Sequence, residues 1–398
     1  MRVGFLFNHD QIHQIAHSLP IARALAELAA KTGSEVEIVI ATTQANLATE
    51  VRRQLGPDRP RGLTLIDLRL KSPLSKLFST LLGRILPAAK LLVYRDNLAF
   101  FRALDGLVVT ERTSLILKTR YGLKKPLMIL ADHGAGDRAI AFGKAVALFD
   151  HILAAGPKLS ARFQAEAGVA PERISITGYP KFDATEANVP PTPLFANSRP
   201  TVLYNPHLSP HLSSWYRQGR AVLDFFLDSP DYNLIFAPHI MLFQRKMVLT
   251  IDKFRADFPG RIDPKYRAAR NIHIDLGSLA STDMTYTNAA DIYLGDASSQ
   301  IYEFLKRPRP CVFLNPHGHP YQGDPNFAHW QAGPVIETVA DLGRALKRAQ
   351  DQQDAVYRPV QKALFDFTFD LTDEPSSLRA SRVLMDVLKG RDRSTKTK

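Results

Sequence analysis

The fold of this chain is decided by the stretch Asp291-Ile-Tyr-Leu-Gly-Asp-Ala-Ser-Ser-Gln-Ile-Tyr-Glu-Phe-Leu305. An apolar run ends in a small, hydroxyl-bearing turn, Gly295–Gln300, and a helical pattern follows at once. A strand that turns directly into a helix points several backbone N–H groups at one place, where they favour an anion. Together with the hydroxyls of Ser298 and Ser299, these groups predict a phosphate site.

The alternation of short apolar runs with amphipathic stretches extends along the whole chain and predicts α/β layers with parallel sheets. A proline-rich segment without periodicity, residues 188–200, interrupts it and is predicted to be a linker. The first domain is expected over residues 1–187 and the second over residues 201–375. A C-terminal helix and basic tail, residues 376–398, are expected to cross back onto the first domain. We predict two Rossmann-like, doubly wound domains that face a central cleft.

In the second domain, strands are predicted at Thr201–Tyr204, Asn233–Ala237, Asn271–Asp275, Ile292–Gly295 and Pro310–Leu314. Helices are predicted between them at Trp215–Leu227, Leu242–Phe258, Ser299–Lys306 and Val339–Gln350. Ligands of such sheets bind at the carboxyl ends of the strands, so the residues that follow each strand are the first candidates for function.

Composition restricts the classes of partner. The 398 residues carry a formal net charge of +12, which suits nucleic acid, an anionic bilayer or an anionic small substrate. No zinc spacing, aromatic-basic strand motif or recognition-type helix is present, so no nucleic-acid partner is expected. The single cysteine, Cys311, excludes an intramolecular disulfide and fits a reducing cytosol. No apolar run reaches the ~18 residues that span a bilayer, which predicts a cytoplasmic protein.

The loop Asp132-His-Gly-Ala-Gly-Asp-Arg138 follows a predicted strand, Leu127–Leu130, and carries a candidate catalytic group. Imidazole takes a proton from a hydroxyl near neutral pH, so His133 is a candidate general base, with Asp132 or Asp137 orienting its ring. The glycines allow backbone or ligand to approach closely. A histidine that only caps a helix or completes a turn fits this loop equally well.

Two strands of the second domain end in a proline followed by a histidine, at Pro206-His207 and at Pro238-His239. Proline stops each strand and leaves an imidazole at the carboxyl edge. A histidine at that edge binds a phosphate oxygen either as imidazolium or as a neutral N–H donor. With the Ser298-Ser299 turn, the two pairs predict three phosphate-binding groups on one rim.

Three histidines near the N-terminus, His9, His13 and His17, recur at four-residue spacing. Histidines four apart on a helix can share a zinc ion, but no carboxylate motif of the metalloprotease type accompanies them. We therefore predict no metal site and place His9 and His13 on the acceptor side of the cleft.

Residues 71–95 are predicted to form one strongly amphipathic helix, closed by Pro87. No acidic residue occurs from Arg69 to Arg95, so the helix has a basic flank. It either lies on an anionic membrane surface or covers the sheet of the first domain, and both interpretations stay open. Its apolar stripe consists of Leu74, Leu77, Phe78, Leu81, Leu82, Ile85 and Leu86.

Taken in order, these motifs resemble those of the CDP-glycerol glycerophosphotransferases, the teichoic-acid primase and polymerase type, which have a GT-B fold. The similarity covers roughly residues 130–315. The segments that carry it are His133-Gly134, Tyr204-Asn-Pro206, Ala237-Pro-His239, Asp296-Ala-Ser-Ser299 and Pro310-Cys-Val-Phe313.

The resemblance implies a transferase that moves glycerol phosphate from CDP-glycerol, or a related nucleotide-activated donor, to a hydroxyl of a lipid-linked or glycan acceptor, releasing CMP. By the same resemblance His133 is the general base on that hydroxyl. The donor-binding candidates are His207, His239, Asp296, Ser298 and Ser299. The hydroxyl attacks the β-phosphorus directly, so neither a protein nucleophile nor a cofactor is expected. The protein is expected at the inner face of the cell membrane as a peripheral protein.

Two positions depart from the family pattern. Ala297 stands where the family has tyrosine, and the loop after His133-Gly134 continues as Ala-Gly-Asp-Arg where Thr-Pro-Leu-Lys is usual. Arg138 then takes the place of the missing lysine as a phosphate clamp. Two alternatives stay open. One is a GT-B glycosyltransferase that uses a nucleotide sugar. The other is a UDP-sugar 2-epimerase-like enzyme, whose Ser-Gly-Gly turn corresponds to Ser298-Ser299-Gln300.

Overall fold

The computed structural model describes residues 1–9, 11–82, 88–185, 187–250 and 253–396. Its contacts divide the chain into two compact units. Unit 1 comprises Met1–Ala135, Phe142–Ala184 and Thr368–Lys398, and unit 2 comprises Gly136–Ala141 and Thr185–Phe367. The boundaries differ from those expected from sequence in two respects. Residues 136–141 belong to unit 2 rather than to the N-terminal domain, and the return to unit 1 begins at Thr368.

Unit 1 is built on a parallel sheet of apolar strands. In chain order they are β1 (Arg2–Phe7), β2 (Glu37–Thr42), β3 (Leu63–Asp67), β4 (Gly106–Val109), β5 (Leu127–Ala131), β6 (His151–Ala154) and β7 (Ile174–Ile176). They pair in the order β3-β2-β1-β4-β5-β6-β7. The central strands β1 and β4 are buried on both faces, as expected where helices cover both sides of a parallel sheet.

The helices of unit 1 follow the strands in alternation. They are α1 (Leu19–Thr32), α2 (Ala45–Leu55), α3 (Pro73–Leu82), α4 (Ala88–Asp96), α5 (Leu98–Arg102), α6 (Ile116–Thr119), α7 (Pro157–Ala167) and α8 (Pro180–Thr185). Proline in the first turn begins α1, and Gly33 in the left-handed conformation (φ 63°) ends it. Ile21, Leu25 and Ala29, four residues apart, bury one face of α1 in the core.

Unit 2 repeats the architecture. Its main strands are β8 (Thr201–Asn205), β9 (Asn233–Phe236), β12 (Ile272–Ile274), β13 (Ile292–Gly295), β14 (Cys311–Leu314) and β15 (Val335–Ile336), and a separate hairpin contributes β10 (Val248–Thr250) and β11 (Arg255–Asp257). The helices are α9 (Trp215–Leu227), α10 (Pro264–Ala268), α11 (Thr285–Ala289), α12 (Gln300–Phe304), α13 (Leu342–Asp351) and α14 (Arg358–Thr368). The main sheet is parallel, in the order β12-β9-β8-β13-β14-β15.

Both sheets have the Rossmann strand order when each unit is counted from its own first strand. The order reverses between β1 and β4 in unit 1 and between β8 and β13 in unit 2. Doubly wound sheets bind ligands beside the carboxyl ends of the strands at such a reversal. Pro206-His207 follows β8 and the Gly295–Gln300 turn follows β13, so both predicted phosphate motifs lie at the switch point of unit 2.

The last helix, α15 (Ser376–Lys396), packs on α1 within unit 1. Its side chains Ala380, Leu384 and Leu388, again four residues apart, belong to the same buried cluster as the apolar face of α1. The C-terminal segment therefore completes the core of the unit in which the chain begins.

The predicted helix Leu242–Phe258 is wrong, because this segment contains the antiparallel hairpin β10–β11. Its apolar residues fit a helical period and a period of two about equally well. The β-branched residues Val248 and Thr250 and the lack of a sheet-covering role favour the extended form.

The predicted helix 71–95 is divided in the structure into α3 and α4, and residues 83–87, with Ile85, Leu86 and Pro87, lie outside the described residues. On α3, the side chains of Leu74 and Leu77 are exposed rather than packed on the sheet. Among the described residues, no helix combines the length and apolar character needed to cross a bilayer.

Candidate functional site

In unit 2, the buried carboxylate of Asp296 joins the loop after β8 to the turn after β13. Oδ1 accepts hydrogen bonds from the backbone N–H groups of His207 (2.8 Å) and Ala297 (2.7 Å). Oδ2 accepts from the backbone N–H (2.6 Å) and the hydroxyl (2.8 Å) of Ser214. Burial raises the pKa of Asp296, and these hydrogen bonds act in the opposite direction. Since four donors occupy both oxygens, Asp296 shapes the rim rather than facing a ligand.

Both ring nitrogens of His207 face N–H donors. The backbone N–H of Ser209 donates to Nδ1 (2.9 Å), and Nη1 of Arg138 lies 2.8 Å from Nε2. Burial, together with the charge of Arg138, holds the pKa of His207 well below its usual range. His207 is therefore neutral.

His239 occupies the corresponding position after β9. The N–H of Met241 donates to Nδ1 (3.2 Å), which leaves the ring proton on Nε2. Burial and then Arg138 lower the pKa of His239 from 6.5 to about 4. The two rings lie 5.7 Å apart, between centroids, in an edge-on arrangement. Each proline-histidine strand end thus presents a neutral imidazole at the same rim.

Arg138 adds a positive charge beside His207. Its Nη1 lies 2.8 Å from Nε2 of His207, a distance at which the guanidinium N–H donates to the ring nitrogen. Because a neutral imidazole accepts at only one nitrogen, this N–H and that of Ser209 compete for His207. The rim therefore combines a cation with neutral imidazoles, a set of groups that suits a phosphate.

The serine turn lies against the segment that carries Arg138. A Cβ atom on Gly136 would lie 2.8 Å from Cβ of Ser299, so only glycine permits this approach without a shift. Ser298 is buried and Ser299 is exposed. Because α12 has only five residues, its dipole is short, and the hydroxyls and backbone N–H groups of the turn carry most of the anion-binding capacity.

Asp137 is fully buried and bonds to residues that sequence reasoning missed. The hydroxyl of Tyr302 donates to both of its carboxylate oxygens (2.8 and 2.7 Å), and Nδ1 of His329 lies 2.8 Å from Oδ2. Nε2 of His329 in turn lies 2.8 Å from the main-chain oxygen of Asp296. Both nitrogens of His329 thus lie at hydrogen-bond distance from acceptor oxygens. No sequence pattern marks Tyr302 or His329, because both contacts join distant parts of the chain.

In unit 1, His133 has the opposite tautomer. Nδ1 lies 2.7 Å from the main-chain oxygen of Thr110, so Nδ1 carries the proton and Nε2 is left as an acceptor. The carboxylate of Asp132 lies 3.6 Å from the same nitrogen and accepts the backbone N–H of His133 (2.8 Å). The ring is partly exposed. A partly exposed imidazole with a basic nitrogen and a nearby carboxylate is able to accept a proton.

His9 and His17, two of the N-terminal histidines, lie near the ring of His133. His17, buried on a 3₁₀ turn that spans Ile12–His17, packs edge-on between the rings of His133 (6.4 Å) and Tyr179 (5.2 Å). His9 is buried at the end of β1, and His13 is partly buried and contributes to the charge around His17. Within the described residues, no group of histidine, cysteine and acidic side chains has the geometry to hold a metal ion.

The buried histidines give the fold a definite pH dependence. Burial, His133 and Lys90 lower the pKa of His9 from 6.5 to about 3. Between those values the unfolded chain binds a proton that the folded chain does not, so stability is full above pH 6.5 and falls as the pH decreases. At pH 5 the loss is about 2 kcal/mol for this group.

His9→Gln is expected to make the free energy of unfolding less dependent on pH. The slope of this free energy against pH, measured by urea denaturation at several pH values, should decrease by the contribution of about one proton. An unchanged slope would contradict the assignment.

The fold of the chain is GT-B, with a Rossmann-like parallel sheet in each unit. No protein-family model matches the sequence, and a search of curated proteins finds no relative. Solved structures do match. The wall teichoic acid polymerase TagF aligns with a TM-score of 0.58 at 14% identity, over 98% of this chain and 89% of that one. The S. aureus MnaA–UDP complex aligns with a TM-score of 0.58 at 10% identity, over 98% and 97%.

A protein of Listeria monocytogenes, described as a UDP-N-acetylglucosamine 2-epimerase, is a third match. Its TM-score is 0.56 at 15% identity, and the alignment covers 99% of this chain and 97% of that chain. At these identities the likeness establishes the shared fold. The activity has to be argued from the residues.

Proposed function

We propose that the protein is a transferase that moves glycerol phosphate from CDP-glycerol to a hydroxyl of a membrane-associated glycan or lipid acceptor, releasing CMP. The observation that carries this proposal is a cluster of phosphate-binding groups in unit 2 together with a proton-accepting imidazole in unit 1. Arg138, His207 and His239 lie together at the rim of unit 2. His133 of unit 1 keeps a basic nitrogen.

On the donor side, the pyrophosphate of the nucleotide is bound by Arg138, His207 and His239, with Ser298 and Ser299 from the turn. Arg138 offsets the negative charge that develops on the oxygens of the reacting phosphorus. The neutral imidazole of His239 donates its Nε2–H to the same oxygens, and His207 lies beside Arg138 at this position. Asp137 and Asp296 keep this rim in shape through the buried hydrogen bonds described above.

On the acceptor side, Nε2 of His133 takes the proton of the attacking hydroxyl. The hydroxyl oxygen forms a bond to the β-phosphorus while the bond from that phosphorus to the oxygen of CMP breaks, and CMP leaves with the electron pair. The carboxylate of Asp132 and the carbonyl of Thr110 stabilise the imidazolium that results.

The structural matches support this proposal and one alternative. A structure of TagF soaked with CDPG shares the fold with a TM-score of 0.57. The complex of MnaA with UDP matches with a TM-score of 0.58, so a UDP-sugar donor is the second candidate. A glycosyltransferase or an epimerase that used it would employ the same rim for the pyrophosphate.

Titration calorimetry with CDP-glycerol and with UDP-N-acetylglucosamine tests the donor assignment. We expect CDP-glycerol to bind the wild type, and His239→Ala to weaken binding about 10- to 100-fold, because a hydrogen bond to a charged phosphate is lost. His239→Gln, which keeps an N–H donor, should retain most of the affinity. Binding of UDP-N-acetylglucosamine without binding of CDP-glycerol would overturn the donor.

We also propose that the protein is peripheral on the cytoplasmic face of the membrane and that α3 contacts anionic lipid there. The exposed Leu74 and Leu77, with Lys71 and Lys76 beside them, suit an interfacial helix. We expect Leu74→Glu/Leu77→Glu to reduce co-sedimentation with phosphatidylglycerol vesicles several-fold. Phosphatidylcholine vesicles provide the control. If the double substitution left vesicle binding unchanged, the exposed leucines of α3 would not contact the membrane.

A further inference from the structure

The hairpin β10–β11 of unit 2 has an apolar face that no other part of the described chain covers. Its strands pair antiparallel, with Leu249 opposite Ala256. Met247 immediately precedes β10 and Phe258 immediately follows β11. The exposed fractions are 46% for Met247, 55% for Leu249 and 68% for Phe258, and Phe254 beside the turn is 84% exposed.

The opposite face of the hairpin is the one that meets the protein. Val248 is buried and Asp257, its cross-strand partner, is partly buried. On an ordinary surface hairpin the outward side chains are polar, whereas here they are apolar. A contiguous apolar patch presented in this way marks a contact surface.

The base of the hairpin is fixed, so the outward face is held in place. Nε1 of Trp215, a core residue, donates to the main-chain oxygen of Pro259 just beyond β11 (2.9 Å). The hydroxyl of Thr250 donates to the main-chain oxygen of Arg255 (3.2 Å) and lies 3.4 Å from Nδ1 of His211. Leu242, before β10, is buried in the core of unit 2.

The charged residues around the apolar patch indicate which kind of surface it contacts. Four exposed basic residues flank the apolar side chains, namely Arg245, Lys246, Lys253 and Arg255. The same stretch contains two acidic residues, Asp252 and Asp257. Apolar side chains ringed by lysine and arginine match the boundary between acyl chains and anionic headgroups. The centre of a protein–protein interface is instead depleted in lysine.

We propose that β10–β11 and the described residues beside it, 245–250 and 253–258, form a membrane-docking surface, whose apolar side chains enter the interface of an anionic bilayer while the basic residues bind its headgroups. The hairpin follows His239 of the phosphate-binding rim within the same loop. Docking would therefore hold this rim near the surface that carries a lipid-linked acceptor, a consequence that rests on the proposed function. The membrane contact itself does not depend on that reaction.

Vesicle co-sedimentation of the full-length protein tests the proposal. We expect Leu249→Glu/Phe258→Glu to lower partitioning onto phosphatidylglycerol–phosphatidylcholine vesicles roughly tenfold or more, because two large apolar side chains leave the interface. Phe367→Glu is the matched control, since Phe367 is an exposed aromatic residue (49%) of the same unit outside the hairpin. Vesicles of phosphatidylcholine alone should bind weakly. Partitioning equal to that of the wild type would overturn the proposal.

A second measurement keeps the test valid if the double variant folds poorly. Leu249→Cys carrying an environment-sensitive fluorophore should shift its emission to the blue when anionic vesicles are added, whereas the same label on Val356→Cys should not. Sedimentation equilibrium without lipid tests the competing occupant, a second copy of the chain. A concentration-dependent dimer that Leu249→Glu abolishes, with no emission shift on vesicles, would contradict docking on a bilayer.

Discussion

His133→Gln is expected to lower kcat about 10²- to 10⁴-fold, the usual contribution of a positioned general base. The carbonyl of Thr110 holds the proton on Nδ1 and leaves Nε2 basic, and a glutamine amide has no comparable basicity. The measurement is the initial rate of CMP release from CDP-glycerol at saturating donor. Affinity for CDP-glycerol should remain near that of the wild type, because the proposed donor site consists of residues of unit 2.

The matched control for this prediction is His151→Gln. His151 is a buried histidine of the same unit, and it begins β6 and thus lies at the amino end of a strand, where Nε2 is 2.9 Å from the hydroxyl of Ser175. Its substitution should leave kcat unchanged. Wild-type turnover by His133→Gln, with intact folding shown by circular dichroism, would remove the general-base assignment.

The second large effect is expected for Asp296→Ala, which should destabilise the protein by about 3–5 kcal/mol. The substitution leaves the buried N–H groups of His207, Ser214 and Ala297 without their acceptor. The loop after β8 and the serine turn would then lose the link between them, so donor affinity should also fall. Urea denaturation followed by tryptophan fluorescence measures the change, since Trp215 and Trp330 both lie in unit 2.

Asp366→Ala serves as the comparison for Asp296→Ala. Asp366 forms an exposed i,i+4 pair with Lys362, and exposed pairs of this kind contribute less than about 1 kcal/mol. If Asp296→Ala lowered the free energy of unfolding by no more than Asp366→Ala, Asp296 would not hold the loop after β8 and the serine turn together.

Much of the fold follows from local pattern. Apolar runs such as Val3–Phe7 and Ile292–Gly295 are long enough, and different enough from the amphipathic stretches between them, to fix the α/β alternation. Proline after β8 and after β9 marks where each strand stops, which is why both rim histidines were predictable. The segment 242–258 was mispredicted because its apolar spacing fits two periods, and only the protein packed beneath Val248 decides between them.

The chemistry of the candidate site could be predicted from the sequence less well than the fold. Whether a histidine accepts or donates at Nε2 depends on whether a backbone N–H or a backbone carbonyl meets Nδ1, and this is a property of the folded loop. Asp137 was predicted beside His133, but its carboxylate bonds to Tyr302 and His329, 165 and 192 residues away. Such partners are set by topology, and one sequence carries no signal for them.

The most direct test of the proposed transfer is to identify the nucleotide that the protein releases from its donor. The protein is incubated with CDP-glycerol, and separately with UDP-N-acetylglucosamine, in the presence of vesicles carrying the lipid fraction of an envelope extract as acceptor. The released nucleotide is then identified by chromatography. Attack on the β-phosphorus predicts CMP from CDP-glycerol, lost in His133→Gln. Release of UDP from the sugar nucleotide, with no CMP from CDP-glycerol, would contradict the account and assign the rim to a glycosyl donor.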